Sequence, residues 1–282
     1  MKKKFLKYIT VALIATVALF TGTVISTGNK DVDSYVQEAI KVFENLGLKD
    51  NNDANNTTPV TSQDYSNTVT TVNGITVPEY DGQNVAYILN DNEPFFITEY
   101  DLASTDTYVK FSDLDIYERQ GEANAVIGPE TLATEERGNI SSIHPSGWWE
   151  AKQTDVNVNR CHLIAFCLAG NQTNVVENLI TGSRALNADV AGCNGSMLDY
   201  ELQTVNYIEE TGNHVRYRVT PIFENVDVTA KGVLMEAESI EDQGQGLKYC
   251  VWIYNVQPEY VCNYTTGLWE HVTTPELTEE AK

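Results

Sequence analysis

Residues 159–164 read Asn159-Arg160-Cys161-His162-Leu163-Ile164 and join a polar motif directly to an apolar run. A strand places successive side chains on opposite faces, so Arg160 and His162 are predicted to share one face and Cys161 to point to the other. Adjacent strand residues cannot form the hydrogen bond that a cysteine nucleophile needs from its base, which disfavours a Cys161–His162 dyad. The stretch therefore predicts a strand that presents an arginine and a histidine together.

His162 is the candidate general base. The pKa of an unperturbed imidazole lies near 6.5, so a histidine can take a proton from water at neutral pH, and activity is expected to fall below about pH 6. Phosphodiester hydrolysis also needs positive charge at the phosphoryl oxygens, which a hydrated Mg²⁺ ion can supply with few protein ligands. Asn187 and Glu201, predicted on two consecutive helices, offer an amide oxygen and a carboxylate that can hold metal-bound water. Taken alone, Asn187 is more often a helix-surface residue and Glu201 a solvated charge, but together with His162 these groups suit metal-assisted hydrolysis of a phosphodiester.

The charge balance limits how such a protein could hold nucleic acid. The 282-residue chain has a formal net charge of −22, whereas proteins that neutralise many phosphates concentrate Lys and Arg on one face. A turnover enzyme needs only a local basic patch and a divalent cation to offset the repulsion. The 42% hydrophobic content supports a real core, and we expect one catalytic domain.

The beginning of the chain has the features of an exported protein. Three lysines at 2–4 precede an apolar run over 8–20, which is the order of a signal peptide. Residues 1–27 are predicted to be a signal peptide or an N-terminal membrane anchor, so the protein is expected to be secreted or on the extracellular face of the cell membrane. A membrane is a partner only if this segment is retained. We assign 28–77 to a short amphipathic helix and a flexible Asn- and Thr-rich linker, 78–269 to the catalytic domain and 270–282 to an acidic tail.

The cysteines do not define a disulfide framework or a metal site. Export permits disulfides, but an odd number of cysteines leaves at least one thiol unpaired. A zinc site is disfavoured because the chain has no C-x-x-C pair. The residues considered for it are Cys161, His162, Cys167 and Cys193.

Apolar periodicity and turn residues predict a domain of mixed helices and strands. Residues 85–89 and 94–97 flank a polar turn and predict a hairpin, while 124–149 is predicted to be irregular. Alternating apolar and polar residues predict an antiparallel sheet from strands at 214–223, 232–240 and 249–257. Period-two geometry places Arg216 and Arg218 opposite the apolar residues of the first of these strands.

Shorter elements are predicted around the motif. Two apolar strands are expected at 162–166 and 178–180, and Thr181 is expected to cap a helix that carries Asn187. A further helix is predicted at 197–210, where Glu201 shares a stripe with apolar residues.

The motif and its spacing resemble those of the DNA/RNA non-specific endonucleases, the ββα-metal nucleases that include DNA-entry nucleases and secreted streptococcal DNases. Their Asp-Arg-Gly-His motif is matched by Asn159-Arg160-Cys161-His162, and the nine-residue step between their two asparagines is matched by Asn178 and Asn187. Segments at 87–92, 138–142, 178–184, 212–221 and 254–258 look like one branch of this family. The resemblance covers about residues 80–267.

This resemblance implies an α+β fold with a ββα-metal (His-Me finger) nuclease core and a central antiparallel sheet flanked by helices. It implies that His162 is the general base and that Asn187 is the direct ligand of Mg²⁺, with Mn²⁺ as an alternative ion. Glu201 would bind metal-coordinated water. Asn178 would hold the phosphate or orient the base, and Arg160 would lie near the phosphate.

The implied activity is that of a metal-dependent endonuclease that cuts DNA with little sequence preference, with RNA as an open second substrate. Nothing in the chain resembles a recognition helix or another base-reading module. Arg184, Arg216 and Arg218 lie in the family-like segments and are expected to bind the substrate. Protein partners are not indicated.

Two residues of the motif depart from the family pattern. Asn159 replaces the aspartate and removes a negative charge, and Cys161 replaces the glycine and adds a side chain. The stretch 188–196 is also longer than usual, which weakens the Glu201 assignment relative to Asn187. These departures keep open an alternative, a catalytically weak or inactive surface binding module on the same fold. A glycosidase is disfavoured because no pair of carboxylates stands out.

Overall fold

The protein is represented by a computed structural model that describes residues 70–96 and 102–272. The predicted export segment, the amphipathic helix, most of the linker and residues 273–282 of the predicted tail lie outside the described residues. The strands are β1 (Thr71–Val72), β2 (Ile75–Thr76), β3 (Ala86–Ile88), β4 (Tyr108–Phe111), β5 (Ala123–Ile127), β6 (Val158–His162), β7 (Leu179–Ser183), β8 (Val215–Ile222), β9 (Gly232–Ser239), β10 (Lys248–Tyr254), β11 (Tyr260–Asn263) and β12 (Leu268–His271). The α-helices are α1 (Trp148–Ala151), α2 (Phe166–Ala169), α3 (Arg184–Asn187) and α4 (Met197–Thr211). Single 3₁₀ turns occur at Asn90–Asn92, Gly170–Thr173 and Val176–Asn178.

A six-stranded antiparallel sheet in the order β3-β10-β9-β8-β5-β4 is the centre of the fold. The predicted antiparallel arrangement of its three longest strands, β8, β9 and β10, is confirmed. On β8, Val215, Tyr217 and Val219 are fully buried on one face, and the alternation turns Arg216 and Arg218 to the other face. The sheet therefore has an apolar face and a face that carries charged side chains.

The apolar face of the sheet packs against the elements that carry the motif. Tyr249 of β10 and Thr204 of α4 share a hydrogen bond of 2.9 Å between their hydroxyl groups. Cys161 and Ile180 of the antiparallel β6–β7 hairpin belong to the same buried cluster as Tyr217. The hairpin and α4 therefore cover one side of the central sheet and complete a strand–strand–helix unit there.

The boundaries of α4 follow closely from local sequence. Ser196 and Asp199 form a reciprocal capping box at its beginning, and Gly212 ends it in the left-handed conformation at φ 73°. The 197–210 prediction is confirmed to within one residue. The helix begins and ends as predicted because both caps are encoded within a few residues of the boundary.

The predicted hairpin at 85–97 is wrong. Three consecutive residues with positive φ, Asn90, Asp91 and Asn92, turn the chain after β3, and residues 93–96 form no strand. β3 pairs instead with β10, and the Asn92 side chain bonds to the backbone of Lys248 and Cys250. β3 is therefore the edge strand of the central sheet, paired with a strand far along the chain, and not the first strand of a local hairpin.

Two further predictions differ from the structure near the motif. Residues 123–127, at the start of the region predicted to be irregular, form β5 in the central sheet. The strand predicted at 162–166 lies earlier, at Val158–His162, and residues 163–165 form a bend that leads to α2. The cap of α3 is Ser183 rather than Thr181, since the Ser183 hydroxyl accepts from the Leu186 N–H at 2.9 Å.

The ends of the described region extend the domain slightly beyond the assigned bounds. Val72 and Val77, in and beside the β1–β2 hairpin, are buried in the core, and Glu270 and His271 belong to β12. All five cysteines are free thiols. Among the residues described, no helix is long and apolar enough to cross a membrane.

Candidate active site

Strand β6 fixes the side on which each residue of the motif acts. Cys161 lies inward, fully buried, whereas Arg160 and His162 contact the loops on the outer side of the hairpin. Gly182 of β7 lets the hairpin pack closely, because a Cβ there would lie 2.8 Å from a methyl carbon of Leu186 on α3 and would meet the Cys161 sulfur. The side chain that stands in place of the motif glycine is thus accommodated by a glycine on the paired strand.

His162 is held between two polar side chains from outside its own strand. Its Nδ1 lies 3.1 Å from an Arg137 guanidinium nitrogen, and its Nε2 lies 2.9 Å from Asn174 Oδ1. The residue is 7% exposed. Because a guanidinium can only donate, Nδ1 must be the acceptor and Nε2 must carry the proton.

A chain of amides fixes that tautomer independently of Arg137. The Gly138 N–H can only donate, so Asn171 must present Oδ1 to it at 2.8 Å. Asn174 must then offer its NH₂ to the same Oδ1, also at 2.8 Å, which leaves its own oxygen for His162. Gly138 permits this approach, since a Cβ there would lie 2.9 Å from Asn171 Oδ1. The lone pair of Nδ1 is therefore available to accept a proton.

Burial changes the pH range in which this base works. It lowers the pKa of His162 to about 4; the Asn174 hydrogen bond raises the pKa and the Arg137 charge lowers it. The expectation of a loss of activity below about pH 6 assumed the pKa of an unperturbed imidazole. Because the pKa is lower in the structure, the loss is expected only at a lower pH. His162 is neutral throughout the physiological range.

Glu201 is a half-buried carboxyl group close to Arg137. Burial raises the pKa of Glu201 to about 8, and the positive charge of Arg137 lowers it. Within residues 70–96 and 102–272 no group hydrogen-bonds to this carboxylate. Because no described residue hydrogen-bonds to this carboxyl group, its oxygens are available to a cation or its water, and the position fits one side of a divalent metal site.

Asn187 is the last residue of α3, a helix that packs against both strands of the hairpin and against α4. Its side-chain amide makes no hydrogen bond to any residue that the structure describes, and the residue is partly exposed. An amide oxygen that no described residue engages suits a hard cation that keeps most of its water.

The cysteines are a separate question. Within the described ranges no group of three or more His, Cys, Asp or Glu could hold a metal ion, which gives no support to a zinc site at the cysteines.

Arg160 is committed to the protein itself. Its guanidinium donates to the carbonyl oxygens of Ile143 and Ser141, the latter at 2.7 Å, and its Cζ lies 3.8 Å from the centre of the Trp148 ring. These contacts fix residues 141–148 against the outer side of β6. The predicted position near the phosphate stays a prediction, and the contacts observed are structural.

Asn178 is fully buried and bonds only to backbone. Its Oδ1 accepts from the Ile164 N–H at 2.9 Å, and its Nδ2 donates to the carbonyl oxygens of Ile164 and Thr173, each at 2.9 Å. Of its two predicted roles, holding the phosphate and orienting the base, this geometry favours the second. The clamp ties the segment after His162 to the turn that leads to Asn174.

Three further predicted residues, Arg184, Asn159 and Cys161, lie on the hairpin or at the start of the helix that follows it. The Arg184 side chain at the start of α3 is close enough to Cys161 to affect the pKa of that thiol, and it makes no hydrogen bond to a described residue. Asn159 lies on β6 with its Nδ2 buried and without a hydrogen-bond partner. Cys161 is an inert thiol, since burial raises its pKa well above the usual range.

Arg216 and Arg218 are not brought to His162. They lie on the charged face of the sheet. Glu201 of the candidate site is on the apolar side, where it is close enough to Tyr217 to raise the pKa of that hydroxyl group. Arg218 makes two hydrogen bonds to Glu236, at 2.7 and 2.9 Å, and Arg216 donates to Asn124 Oδ1 at 2.6 Å. Their predicted contact with the substrate stays a prediction, and this placement puts them on the face of the sheet opposite the candidate site. The physical reason is the strand alternation that turns them away from the buried residues.

Sequence reasoning missed the two side chains that touch His162. Arg137 and Asn174 lie in loops, without periodicity to single them out. A weak signal existed: Arg137 directly precedes the family-like segment at 138–142, and Asn174 belongs to a polar cluster, Asn171-Gln172-Thr173-Asn174, between apolar runs. Neither signal indicates that the two side chains would hydrogen-bond to His162.

A histidine on the first strand of a hairpin that leads into helices beside a central antiparallel sheet defines the ββα-metal nuclease fold, and the structural neighbours are nucleases of this kind. The sequence matches the family of DNA/RNA non-specific endonucleases over residues 98–241, and the chain belongs to that family. The protein is a nuclease.

Two solved structures of NucA from Streptococcus agalactiae are similar to this chain. The structure with no metal bound has a TM-score of 0.57 and the structure with a magnesium ion bound has a TM-score of 0.58. In each case the identity is 26%, and the match covers 69% of this chain and 89% of NucA. A comparison with curated protein sequences finds no significant match.

Proposed function

We propose that the protein is a Mg²⁺-dependent endonuclease that hydrolyses phosphodiester bonds of DNA, and of RNA as a second substrate, with little sequence preference. Magnesium is the ion bound to NucA in one similar structure, and Mn²⁺ is the alternative with similar ligand preferences. The basic and apolar start of the chain supports action outside the cell, as a secreted or surface-tethered enzyme.

The observation that carries the proposal is the state of His162. It is a neutral imidazole with the proton fixed on Nε2 by Asn174 and the lone pair of Nδ1 directed at Arg137. A base that is neutral and oriented before the substrate arrives can take a proton from a water molecule without reorganising.

The residues of the site then have separate tasks. His162 would accept the proton of the attacking water at Nδ1, after the Arg137 guanidinium moves from Nδ1 to a non-bridging oxygen of the phosphate. Asn174 would stabilise the imidazolium that forms, because its oxygen accepts the Nε2 hydrogen bond. Asn178 would hold the backbone on which this geometry depends.

Asn187 would hold the divalent ion directly, and Glu201 would hold it through water. The chemistry that the ion supplies when bound is stabilisation of negative charge on the phosphoryl and leaving oxygens. The Asn187 amide and the Glu201 carboxyl group, neither of which hydrogen-bonds to a described residue, fit such an ion. Arg184, with its side chain near the hairpin, is a candidate for contact with the nucleic-acid backbone.

Supercoiled plasmid DNA tests the proposal as a whole. We expect the purified protein to convert it first to nicked and then to linear and fragmented DNA in the presence of Mg²⁺, and to leave it intact in EDTA. Gel electrophoresis over time measures the conversion, and single-stranded DNA and RNA of the same length compare the substrates. Undiminished cutting in EDTA would contradict the assigned metal, and no cutting with either Mg²⁺ or Mn²⁺ would favour the inactive binding module.

The amide at 174 gives a test based on pH. With saturating Mg²⁺ we expect kcat/KM of the wild-type enzyme to stay level from about pH 8 to about pH 5 and to fall as pH drops towards 4, because protonation of His162 removes the base. Asn174→Asp keeps an acceptor and adds a negative charge, so the pKa of His162 rises and the fall moves to higher pH by about one unit or more. Asn174→Ala loses the acceptor, and kcat at pH 7 is expected to fall by roughly 10-fold or more.

The comparison of these two variants separates orientation from charge. Circular dichroism at each pH controls for unfolding, and Asn206→Ala, an exposed residue of α4, is the matched asparagine control. Identical pH profiles for the wild type and Asn174→Asp would show that this hydrogen bond does not act on the base.

A further inference from the structure

Trp149 differs from the other tryptophans of the chain in its exposure. It is 61% exposed, whereas Trp148, Trp252 and Trp269 are exposed by 5% or less. An indole gains much by burial, so one that is left in water on an ordered helix invites a functional explanation. One face of the Trp149 ring stacks on His144, with ring centres 4.4 Å apart and planes inclined by 30°.

Trp148, directly before Trp149, anchors the helix that carries this pair of rings. Trp148 is buried in a small second core with Trp269 and Cys262, and its ring centre lies 3.8 Å from Arg160 Cζ and 5.0 Å from Lys152 Nζ. Before it, Gly147 has φ 71°, and a Cβ at that position would meet the Thr229 side chain. The helix α1 is therefore anchored on one side and presents Trp149 on the other.

Contacts through Arg160 link the two rings to the strand that carries His162. Arg160 donates to the carbonyl oxygens of Ile143 and Ser141, directly before His144, and it lies on the same side of β6 as His162. Two residues along a strand span about 7 Å. A nucleic-acid strand whose phosphate meets His162 would thus pass these rings within a short distance.

We propose that Trp149, supported by His144, is a stacking subsite for an unpaired nucleobase of the substrate strand next to the scissile phosphate. The inference rests on the proposed function and adds a contact to the substrate. Every base has a flat π face, so stacking holds the strand without reading its sequence, as an enzyme of low specificity requires. Lys152, an exposed residue with its Nζ over the Trp148 ring, adds positive charge for the flanking phosphates on a chain of net charge −22.

This proposal predicts a selective loss of affinity for single strands. In a protein made unable to cleave by His162→Ala, we expect Trp149→Ala to weaken the binding of a fluorescein-labelled oligo-dT by about 10-fold, within a range of roughly 5- to 100-fold. Trp149→Phe keeps an aromatic face and is expected to recover most of that affinity. A duplex of equal length keeps its bases stacked internally, so its affinity is expected to change by less than about 3-fold. Fluorescence anisotropy measures each dissociation constant.

Two controls make the result specific. Ile116→Ala removes an apolar side chain that is 90% exposed and far along the chain, and it is expected to leave all affinities unchanged. A strand of the same length without bases is expected to bind wild-type and Trp149→Ala proteins equally. Equal affinity of both proteins for oligo-dT, or an equal loss for single strand and duplex, would overturn the stacking subsite.

Failure of this inference and failure of the nuclease proposal give different results. A Trp149→Ala enzyme with intact His162 that cuts single-stranded DNA with wild-type KM would overturn the subsite and leave the nuclease standing. A wild-type protein that cuts no nucleic acid would remove the proposed function, whatever the anisotropy shows.

Discussion

Replacing His162 by alanine is expected to lower kcat for plasmid cleavage about 10²- to 10⁴-fold, the usual contribution of a general base. The reason lies in the prepared state of the imidazole, which is neutral, held in one tautomer by Asn174 and directed through Nδ1 at Arg137. Among the described residues, no other histidine and no glutamate or aspartate hydrogen-bonds to the side chain of Arg137 or of Asn174, so no second base stands in the place of His162. Initial rates of nicking in saturating Mg²⁺ measure the effect.

A matched histidine variant controls for this substitution. His271 lies on β12 with its side chain 51% exposed, and His271→Ala is expected to keep the wild-type rate. Since His162 is buried and makes two hydrogen bonds, its removal also costs stability, on the order of 1–3 kcal/mol. Thermal unfolding of both variants shows whether the lost rate belongs to folded protein. A folded His162→Ala protein that cuts at the wild-type rate would remove this residue from the mechanism.

Replacing Asn187 by alanine is expected to lower kcat/KM about 10²-fold or more at a fixed, moderate Mg²⁺ concentration. Its amide oxygen is the proposed direct ligand, and the proposed contact of Glu201 through water is expected to be too weak to replace it. Because the Asn187 side chain makes no hydrogen bond to a described residue, the substitution is expected to leave the melting temperature nearly unchanged. A large loss of activity without a loss of stability is therefore the expected signature.

The metal dependence of the variants tests that assignment directly. We expect Asn187→Ala to need a much higher Mg²⁺ concentration for half-maximal rate, whereas Asn187→Asp keeps an oxygen ligand and retains metal binding. Calorimetric titration with Mg²⁺ or Mn²⁺ measures binding without reference to activity. Glu201→Gln is expected to have a smaller effect, about 10- to 100-fold, as is usual for a group that acts through a bound water. Unchanged Mg²⁺ dependence in Asn187→Ala would contradict its role as a ligand.

The parts of the fold that could be predicted are those encoded by neighbouring residues. The helix α4 has its caps within its own sequence, and β8, β9 and β10 have the apolar alternation of half-buried strands. The motif at 159–162 falls on a strand, with Arg160 and His162 on one side of it. In each case the deciding interaction spans only a few residues.

The parts that failed depend on partners far along the chain. β3 was predicted to pair with residues 94–97, yet its partner is β10, about 160 residues later in sequence. β5 carries no strong local signal and becomes a strand because β4 and β8 lie on either side of it. Arg216 and Arg218 were correctly placed opposite the apolar side chains, but sequence could not say which face of the sheet would hold His162.

The sequence by itself determined the family, the candidate base at His162 and the two proposed metal-binding side chains, Asn187 and Glu201, because these depend on residue types at fixed spacing. Only the tertiary structure brought Arg137 and Asn174 to the imidazole and so decided its tautomer and its lowered pKa. It also decided that Trp149 stays in water while Trp148 is buried. Spacing along a chain states which groups are present, whereas burial and hydrogen bonding between distant segments set the state in which those groups act.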